Sequence, residues 1–283
     1  MRIARLSTTS KAGEQNGERR GSSEDGAADL AGRDKEYMAT LAKGLAVLAA
    51  FGAERPSMSL SEAAAAAGLS RAAARRVLRT LSGLGYVTQD DRRFSPAPRI
   101  LELGFAYLSS QSWIDRAEPL MKELSHDLQE SCSATILQHV EIIYVARMSA
   151  PHRIMSTTIA VGTRLPAFHT SLGRIQLGFL GEAELDNLVR SLRIEHYPAS
   201  TIVARGALID RIREDHSQGF SIVDEELEKG LRALAVPIVS RSGRCVAALN
   251  LSAHSDRTTR NEMREEFLPR LRDVAAEISR TIA

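Results

Sequence analysis

Residues Leu60 to Tyr86 read LSEAAAAAGLSRAAARRVLRTLSGLGY, two short segments of helical periodicity joined by a tight turn. Gly68 suits the left-handed residue that ends the first helix, and Ser70 suits the N-cap of the second. One face of the second helix collects its apolar residues, Ala74, Val77, Leu78 and Leu81. This stretch predicts a helix-turn-helix whose second helix enters the major groove of DNA.

The predicted second helix carries four arginines and no acid, and they lie mostly off its apolar face: Arg71, Arg75, Arg76 and Arg79. Arginine pairs bidentately with phosphate and with the O6 and N7 atoms of guanine. We therefore expect Arg71, Arg75 and Arg76 to contact the groove or its phosphates, with Ser70 and Arg79 in the same interface. The clustering carries this argument, because residues 34–99 contain ten Lys or Arg against six Asp or Glu, a modest excess.

The segment after this helix predicts a β-hairpin wing. A strand starts at Gly85, turns at Asp90 and Asp91 and returns toward Phe94. The wing arginines, Arg92 and Arg93, are then placed for contacts with the DNA backbone. Ahead of the pair, an earlier helix that stops at Gly52 is predicted by apolar residues at helical spacing: Leu41, Leu45, Leu48 and Phe51.

Composition bounds the class of protein. With 283 residues and 43% hydrophobic content, the chain is long enough for roughly two domains with cores of their own. Cys132 and Cys245 stand far apart without a CxxC pair, so we expect neither a zinc site nor a disulfide framework, and no cofactor. No apolar run approaches the ~20 residues of a membrane span, and the N-terminus lacks an apolar signal core. We expect a cytoplasmic protein with no membrane partner.

Four parts are predicted along the chain. Residues 1–33, rich in Gly, Ser, Ala and mixed charges, form a disordered tail. Residues 34–98 form a winged helix-turn-helix DNA-binding domain, residues 99–112 a linker helix, and residues 113–283 an effector-binding domain.

The fold class predicted for the chain is α+β. After a helix from 115 to 130, the runs ATILQHVEIIYVARM, with a turn at Glu141, and RIMSTTIAVG indicate three strands. Helices are expected at 171–180, 183–191 and 206–217, then strands in GFSIV, RALAVPIV and RCVAALNL, and a helix from 259 to the end. Strands with hairpin-sized links favour an antiparallel sheet flanked by helices.

Four segments together resemble the IclR family of bacterial transcription regulators: LAKGLAVLAAF, GLSRAAARRVLRTLSGLGYV, GTRLPAFHTSLGR and DEELEKGLRALAVPIV. The likeness covers essentially everything after residue 35. YVARMSAPHRIMS, RLPAFHTSLGR and PRILELGFAYLSS further resemble the family's protocatechuate, β-ketoadipate and 4-hydroxybenzoate branch.

The resemblance implies a winged helix, a GAF-like effector domain, dimers or tetramers, a small carboxylate signal and target genes for aromatic-acid catabolism. The branch pattern has Tyr-Cys where this chain has Phe168 and His169, and Thr-Pro where it has Ala97 and Pro98. The first departure lies beside the predicted effector site.

A predicted helix start at 170–171 is a candidate anion site, because its first amide groups are unpaired and Thr170 and Ser171 can cap it. Gly173 permits close approach of a neighbouring group. By similarity to the family's effector site, Ser171 and Leu172 occupy its helix-start loop. Ser171 as a plain N-cap without a ligand is the alternative.

The same similarity places Ala233 on the strand after the DEELE loop, and Asn250 and Ser252 on the last strand. The two polar residues alternate with leucines, so they share one face of the sheet and suit contacts with a carboxylate. Arg147 and Arg164 are candidate counter-charges, the alternative being that each is a surface residue. The DEELEKG run is interpreted as a turn and solvated loop, with Glu225 or Glu226 near the pocket mouth.

Two other functions compete with this hypothesis: an enzyme, and a small-molecule sensor that does not act on DNA. Ser171 near His169, with Asp224, Glu225 and Glu226 further along, could in principle form a hydrolase triad or a metal site. Yet the chain has no GxSxG, HExxH, GxxxxGK[ST] or GxGxxG. The arginine-bearing helix argues against a sensor, and equally against a mere protein-binding helical pair.

Overall fold

The computed structural model describes residues 36–150, 159–192 and 201–282. The predicted tail, residues 1–33, lies outside this range. The described chain divides into two compact units between Phe105 and Ala106. The finer domain boundaries at 33, 98 and 112 stay predictions.

The first unit is a winged helix-turn-helix, as predicted. Its helices are α1 (Ala39–Ala49), α2 (Leu60–Ala66) and α3 (Arg71–Gly83). Its strands are β1 (Met58–Ser59), β2 (Val87–Asp90) and β3 (Arg93–Pro96), in the sheet order β1-β3-β2. Asp90 pairs with Arg93, so the wing loop is Asp91 and Arg92, one residue later than predicted.

Local chemistry defines the helix-turn-helix. Ser59 and Glu62 form a capping box at the start of α2. Gly68 takes the left-handed conformation at φ +61°, and the Leu69 amide donates to the Ala64 carbonyl at 2.8 Å. The Ser70 hydroxyl caps α3 by accepting from the Ala73 amide at 3.2 Å. The predicted turn and N-cap are therefore confirmed.

The helix predicted to stop at Gly52 is present as α1, but the first two leucines of its apolar spacing do not join the core. Leu41 and Leu45 are 58% and 54% exposed. The core instead receives Val47, Ala50 and Phe51, because α1 reaches the rest of the unit through its last turn and the residues that follow.

Helix α4 (Ile100–Ser110) occupies the span of the predicted linker helix, and α5 (Ser112–Leu128) follows it in the second unit. The sheet that follows has six antiparallel strands in the order β6-β5-β4-β9-β8-β7. They are β4 (Ser131–Gln138), β5 (Glu141–Met148), β6 (Arg164–Pro166), β7 (Ser221–Asp224), β8 (Leu231–Val239) and β9 (Cys245–His254).

The remaining helices are α6 (Ser171–Leu177), α7 (Glu182–Ser191), α8 (Arg205–Gln218), α9 (Arg260–Glu262) and α10 (Leu268–Arg280), with a π-turn between the last two. The predicted α+β class with an antiparallel sheet is confirmed. The strand predicted in RIMSTTIAVG lies mostly outside the described residues, and its end at 159–162 is not a strand.

Each face of this sheet has its own core. One face packs against α5 and α10, with Leu234, Leu249 and Leu251 on the strands and Met121 and Leu271 on the helices. On the other face, α6 packs against five strands, and the apolar residues there include Ile142, Tyr144, Ala235, Ala248, Leu172 and Ile175. Alternation along the strands separates the two faces.

Candidate functional site

Helix α3 presents its arginines to solvent, as predicted. Arg71, Arg75, Arg76 and Arg79 are exposed, while Ala74, Val77, Leu78 and Leu81 are buried against the unit's core. Within the described residues, none of the four guanidinium groups has a hydrogen-bond or ion-pair partner. They are therefore available to phosphate or base edges.

The two wing arginines differ. Arg92 is exposed in the two-residue loop. Arg93 donates Nε to the Ser57 hydroxyl at 2.8 Å and Nη2 to the Ser57 carbonyl at 2.7 Å, and its Nη1 lies 3.4 Å from Glu62 Oε2. A phosphate contact by Arg93 would compete with these bonds, so its observed role is to tie the wing to the start of α2.

Glu62 takes part in both the capping box and this wing contact. Hydrogen bonds from the Ser59 backbone and side chain lower the pKa of its carboxyl, and Arg93 lowers it further. The carboxylate therefore stays charged where it meets the helix start and the arginine.

Residues from three adjacent strands of the second unit form a polar row. Ser133 on β4 is the register partner of both Arg147 on β5 and Asn250 on β9. Arg147 Nη1 donates to Ser133 Oγ at 3.1 Å, and Asn250 Nδ2 donates to Ser252 Oγ at 3.0 Å. We use "polar row" for Arg147, Ser133, Asn250 and Ser252.

The strand β8 continues this face next to the polar row. Ala233 pairs with Ser252, and Ala235 pairs with Asn250. The register thus places on one face, across four adjacent strands, four residues that the sequence placed in the effector site: Arg147, Ala233, Asn250 and Ser252.

Helix α6 covers this part of the sheet and begins at the predicted place. Thr170 is the N-cap, its hydroxyl accepting from the Gly173 amide at 3.1 Å, while Ser171 and Leu172 are each 1% exposed. Ser171 Oγ and Asn250 Oδ1 are buried polar atoms with no hydrogen-bond partner in the described part of the chain. Buried polar atoms without a partner are rare in folded proteins. A ligand that bonds to these two oxygens would account for them.

Gly173 is dictated by packing. A Cβ at this position would lie 2.1 Å from the Ala167 carbonyl oxygen, so no side chain fits between α6 and the preceding 3-10 turn (Ala167–His169). The close approach predicted at this glycine is thus made by the protein's own backbone.

Arg147 is partly buried, and its surroundings are weakly polar. Burial lowers the pKa of its guanidinium, and burial also raises the pKa of the Tyr144 hydroxyl to about 12 and that of the Cys132 thiol. Both neighbours are therefore neutral at physiological pH, so neither compensates the charge of Arg147.

Arg164 does not join the polar row. Its Nε and Nη2 lie 2.8 and 2.7 Å from Glu141 Oε2, and Nη1 donates to Gln138 at 2.9 Å. The predicted second counter-charge is thus neutralised near the β6 edge of the sheet, as in the surface alternative.

A buried ion pair next to the site was not predicted from the sequence. Arg174 on α6 is fully buried and pairs with Glu226 of the DEELEKG segment. Glu226 is 8% exposed, so the solvated loop predicted there is wrong at this residue. The signal was present as an arginine in an otherwise uncharged helix of seven residues.

His169 lies in the 3-10 turn before α6 and is 1% exposed. Burial lowers the pKa of its imidazole to about 4, with the Arg174 charge acting in the same direction and Glu226 opposing it. The side chain is therefore neutral near pH 7.

The acids considered for a hydrolase or metal site are engaged elsewhere. Asp224 is bound by Arg232, whose Nε and Nη2 donate at 2.8 and 3.0 Å, and Glu225 accepts from Ser255 at 2.5 Å. The described residues contain no group of three or more His, Cys, Asp or Glu placed to hold a metal ion. Over the same residues, no helix combines the length and apolar character needed to cross a bilayer.

These two units define a transcription regulator with a winged helix-turn-helix and a separate sheet unit. Comparison with models of known protein families gives a match for each of the two units. The IclR helix-turn-helix domain matches residues 40–91, and the C-terminal domain of IclR bacterial transcriptional regulators matches residues 105–280. The chain belongs to the IclR family.

Curated relatives narrow the position within the family. The chain is 39% identical to the "Pca regulon regulatory protein" of Pseudomonas putida over 83% of this chain and 81% of that protein. It is 32% identical to the "p-hydroxybenzoate hydroxylase transcriptional activator" of Acinetobacter baylyi over 87% and 92%. A solved structure of a transcriptional regulator from Rhodococcus sp. RHA1 is 42% identical, with a TM-score of 0.75, covering 86% of this chain and 98% of that one.

Proposed function

We propose that this regulator binds a small carboxylate on the polar row and thereby changes its binding to an operator, controlling genes of aromatic-acid (β-ketoadipate pathway) catabolism. The observation that carries the ligand class is Arg147, a partly buried cation that is bonded to the Ser133 hydroxyl and has no carboxylate partner among the described residues. The relatives' names support the aromatic pathway.

The DNA contacts are assigned to α3 and the wing. Arg71, Arg75 and Arg76 supply groove or phosphate contacts, with Arg79 and the N-cap Ser70 at the same surface. Arg92 adds a phosphate contact, and Arg93 does so only by exchanging its bonds to Ser57. The support is that the α3 guanidinium groups are exposed and have no bonding partner among the described residues.

Effector contacts are assigned to the polar row and the start of α6. Arg147 supplies the counter-charge, while Asn250, Ser252, Thr170 and Ser171 supply hydroxyl and amide groups. Leu172 and Ala233 supply apolar surface for the ring. The buried Ser171 and Asn250 oxygens support this assignment, because burying an unpaired polar atom is unfavourable until a ligand meets it.

Self-association into dimers or tetramers is part of the proposal. Helix α4 exposes Leu101, Leu103, Phe105 and Tyr107, and α1 exposes Leu41 and Leu45. Apolar side chains exposed along a helix are typical of an interface with another chain. Two recognition helices would then meet pseudo-palindromic half-sites about one helical turn or a small multiple apart.

The proposal places the protein in the cytoplasm, where its operator lies, and assigns it no catalytic activity. A ligand alters DNA affinity only if it binds one arrangement of the chain better than another, and helix α4 is the proposed lever.

A combined DNA and ligand experiment tests the proposal. DNA fragments selected by the protein from a random pool are titrated at fixed salt, with and without protocatechuate, 4-hydroxybenzoate or β-ketoadipate. We expect a saturable thermal stabilisation by at least one acid and a changed DNA affinity. The N250A and S252A variants should lose the stabilisation and retain basal DNA binding. Unchanged ligand binding in both variants, or no selected DNA, contradicts the proposal.

A further inference from the structure

We propose that Ser133 is a positioning residue: its hydroxyl holds the Arg147 guanidinium in place, so that the site selects a carboxylate over an uncharged ligand of the same shape. The inference rests on the proposed function and adds a residue that neither the sequence nor the family resemblance pointed to.

Ser133 is fixed from both sides. It is fully buried on β4, and β4 is bonded to β5 on one edge and to β9 on the other. The backbone beneath its hydroxyl therefore cannot shift without breaking one of the two ladders. A short side chain on such a strand gives its oxygen a defined position.

Arg147 needs such a support. A free arginine side chain has considerable rotamer entropy, and binding a ligand would otherwise have to overcome its loss. The 3.1 Å bond from Nη1 to Ser133 Oγ restricts the guanidinium before a ligand arrives. Its remaining N–H groups stay available for a carboxylate.

Arg147 also differs from two other arginines of this unit, the buried Arg174 and the partly buried Arg232. Arg174 pairs with Glu226, and Arg232 pairs with Asp224, so both have a carboxylate partner. Across residues 36–150, 159–192 and 201–282, Arg147 has none. A ligand carboxylate would compensate this charge, whereas a neutral amide would not.

The first test compares 4-hydroxybenzoate with 4-hydroxybenzamide by calorimetric titration of the full-length protein. We expect the wild type to prefer the acid, R147Q to lose the preference, and S133A to reduce it about tenfold, the size expected for one hydrogen bond to a charged group. The readout is a ratio of two affinities, so a general loss of stability does not change it.

Ser125 supplies the matched control. It is also a buried serine with one hydrogen bond, from its Oγ to the Glu130 carbonyl at 2.7 Å, but it lies on α5 at the opposite face of the sheet. S125A should keep the acid-over-amide preference. Equal losses of preference in S125A and S133A would overturn the positioning role.

A second test needs no ligand and is read on the wild type, with R147K used only to assign the signal. In the wild type labelled with ¹⁵N-arginine, we expect NMR to show slow rotation about the Nε–Cζ bond of Arg147, whose signal is identified by its absence from R147K. Rotation as fast as in an exposed arginine overturns the inference. Where S133A folds, its rotation should become fast.

The two proposals fail separately. If the wild type binds the acid no better than the amide, the proposed carboxylate effector is wrong and this inference falls with it. If R147Q loses the preference but S133A keeps it, the effector proposal stands and only the role of Ser133 is wrong.

Discussion

Arg174 donates a hydrogen bond from each terminal nitrogen to Glu226, with Nη1 2.8 Å from Oε1 and Nη2 2.5 Å from Oε2. The two residues are 52 positions apart, and Arg174 Nε donates to the Phe168 carbonyl at 2.8 Å. Glu226 in turn accepts from the Ile202 amide at 3.4 Å. One buried pair thus joins α6, the turn before it, the β7–β8 loop and the segment before α8.

Removing one member of this pair should be strongly destabilising. R174M leaves the Glu226 carboxylate buried without a counter-charge, and we expect the free energy of unfolding to fall by about 3–5 kcal/mol. Urea titration followed by circular dichroism measures it. The control is R213M, which breaks an exposed ion pair with Glu182 at 3.6 Å and should cost less than about 1 kcal/mol. Similar losses in the two variants would contradict this account.

Gly173 should not tolerate even a methyl group. The added Cβ of G173A would meet backbone atoms of Ala167 at 2.1–2.5 Å, so α6 must move, and we expect a loss of about 1–3 kcal/mol. Gly206 in α8 has nothing within 4 Å of such a Cβ, and G206A should raise the melting temperature, because alanine favours a helix over glycine. An unchanged stability in G173A would contradict this prediction and show that the Ala167–His169 turn can move aside for the methyl group.

Contacts from α3 should be separable from overall charge. In the R71A/R75A/R76A variant, loss of base-edge contacts should weaken operator binding by ~1–3 kcal/mol per base-reading arginine. The R116A/R241A/R244A variant removes the same charge from exposed positions in the second unit. Fluorescence anisotropy at fixed salt compares them. An intact operator affinity in the α3 variant would show that the recognition helix is assigned wrongly.

The two wing arginines should respond differently to substitution. R92A should weaken all DNA sequences alike and reduce the salt slope by about 1, with no change in stability. R93A removes the bonds to Ser57 and should also destabilise the first unit by about 1 kcal/mol. Salt-series anisotropy and urea unfolding separate the effects. Equal stability losses would leave the Arg93 anchor unsupported.

His169 should make stability fall on mild acidification. Its folded pKa of about 4 lies below the ordinary value of 6.5, so between these pH values the unfolded chain binds a proton that the folded chain does not. Its contribution is fully present above pH 6.5 and is lost as the pH falls toward 4, by up to about 1.4 kcal/mol per pH unit. H169Q should flatten the slope relative to wild type. H126Q, at an exposed histidine, should not.

Local signals made the first unit predictable from sequence. The left-handed Gly68, the Ser70 cap and the buried stripe of α3 depend on residues within a few positions of one another. The exposure of Leu41 and Leu45 could not be predicted, because periodicity identifies an apolar face but not whether another element covers it.

The candidate effector site divides in the same way. The shared face of Asn250 and Ser252 follows from strand alternation, and their order beside Arg147 follows only from the register. The Ser133–Arg147 bond joins residues 14 positions apart, and the Arg174–Glu226 pair joins residues 52 positions apart. Such pairings depend on the folded topology, so the acidic run containing Glu226 looked solvated when considered alone.

The residues of the polar row lie on strands, not on a loop, and backbone pairing with the neighbouring strands fixes the position of each residue. A substitution there therefore changes the functional group that meets the ligand but not the position of the backbone that carries it. This makes the sheet a practical starting point for biosensors, in which acids of different substitution are distinguished by redesigning single positions while the backbone is left as it is.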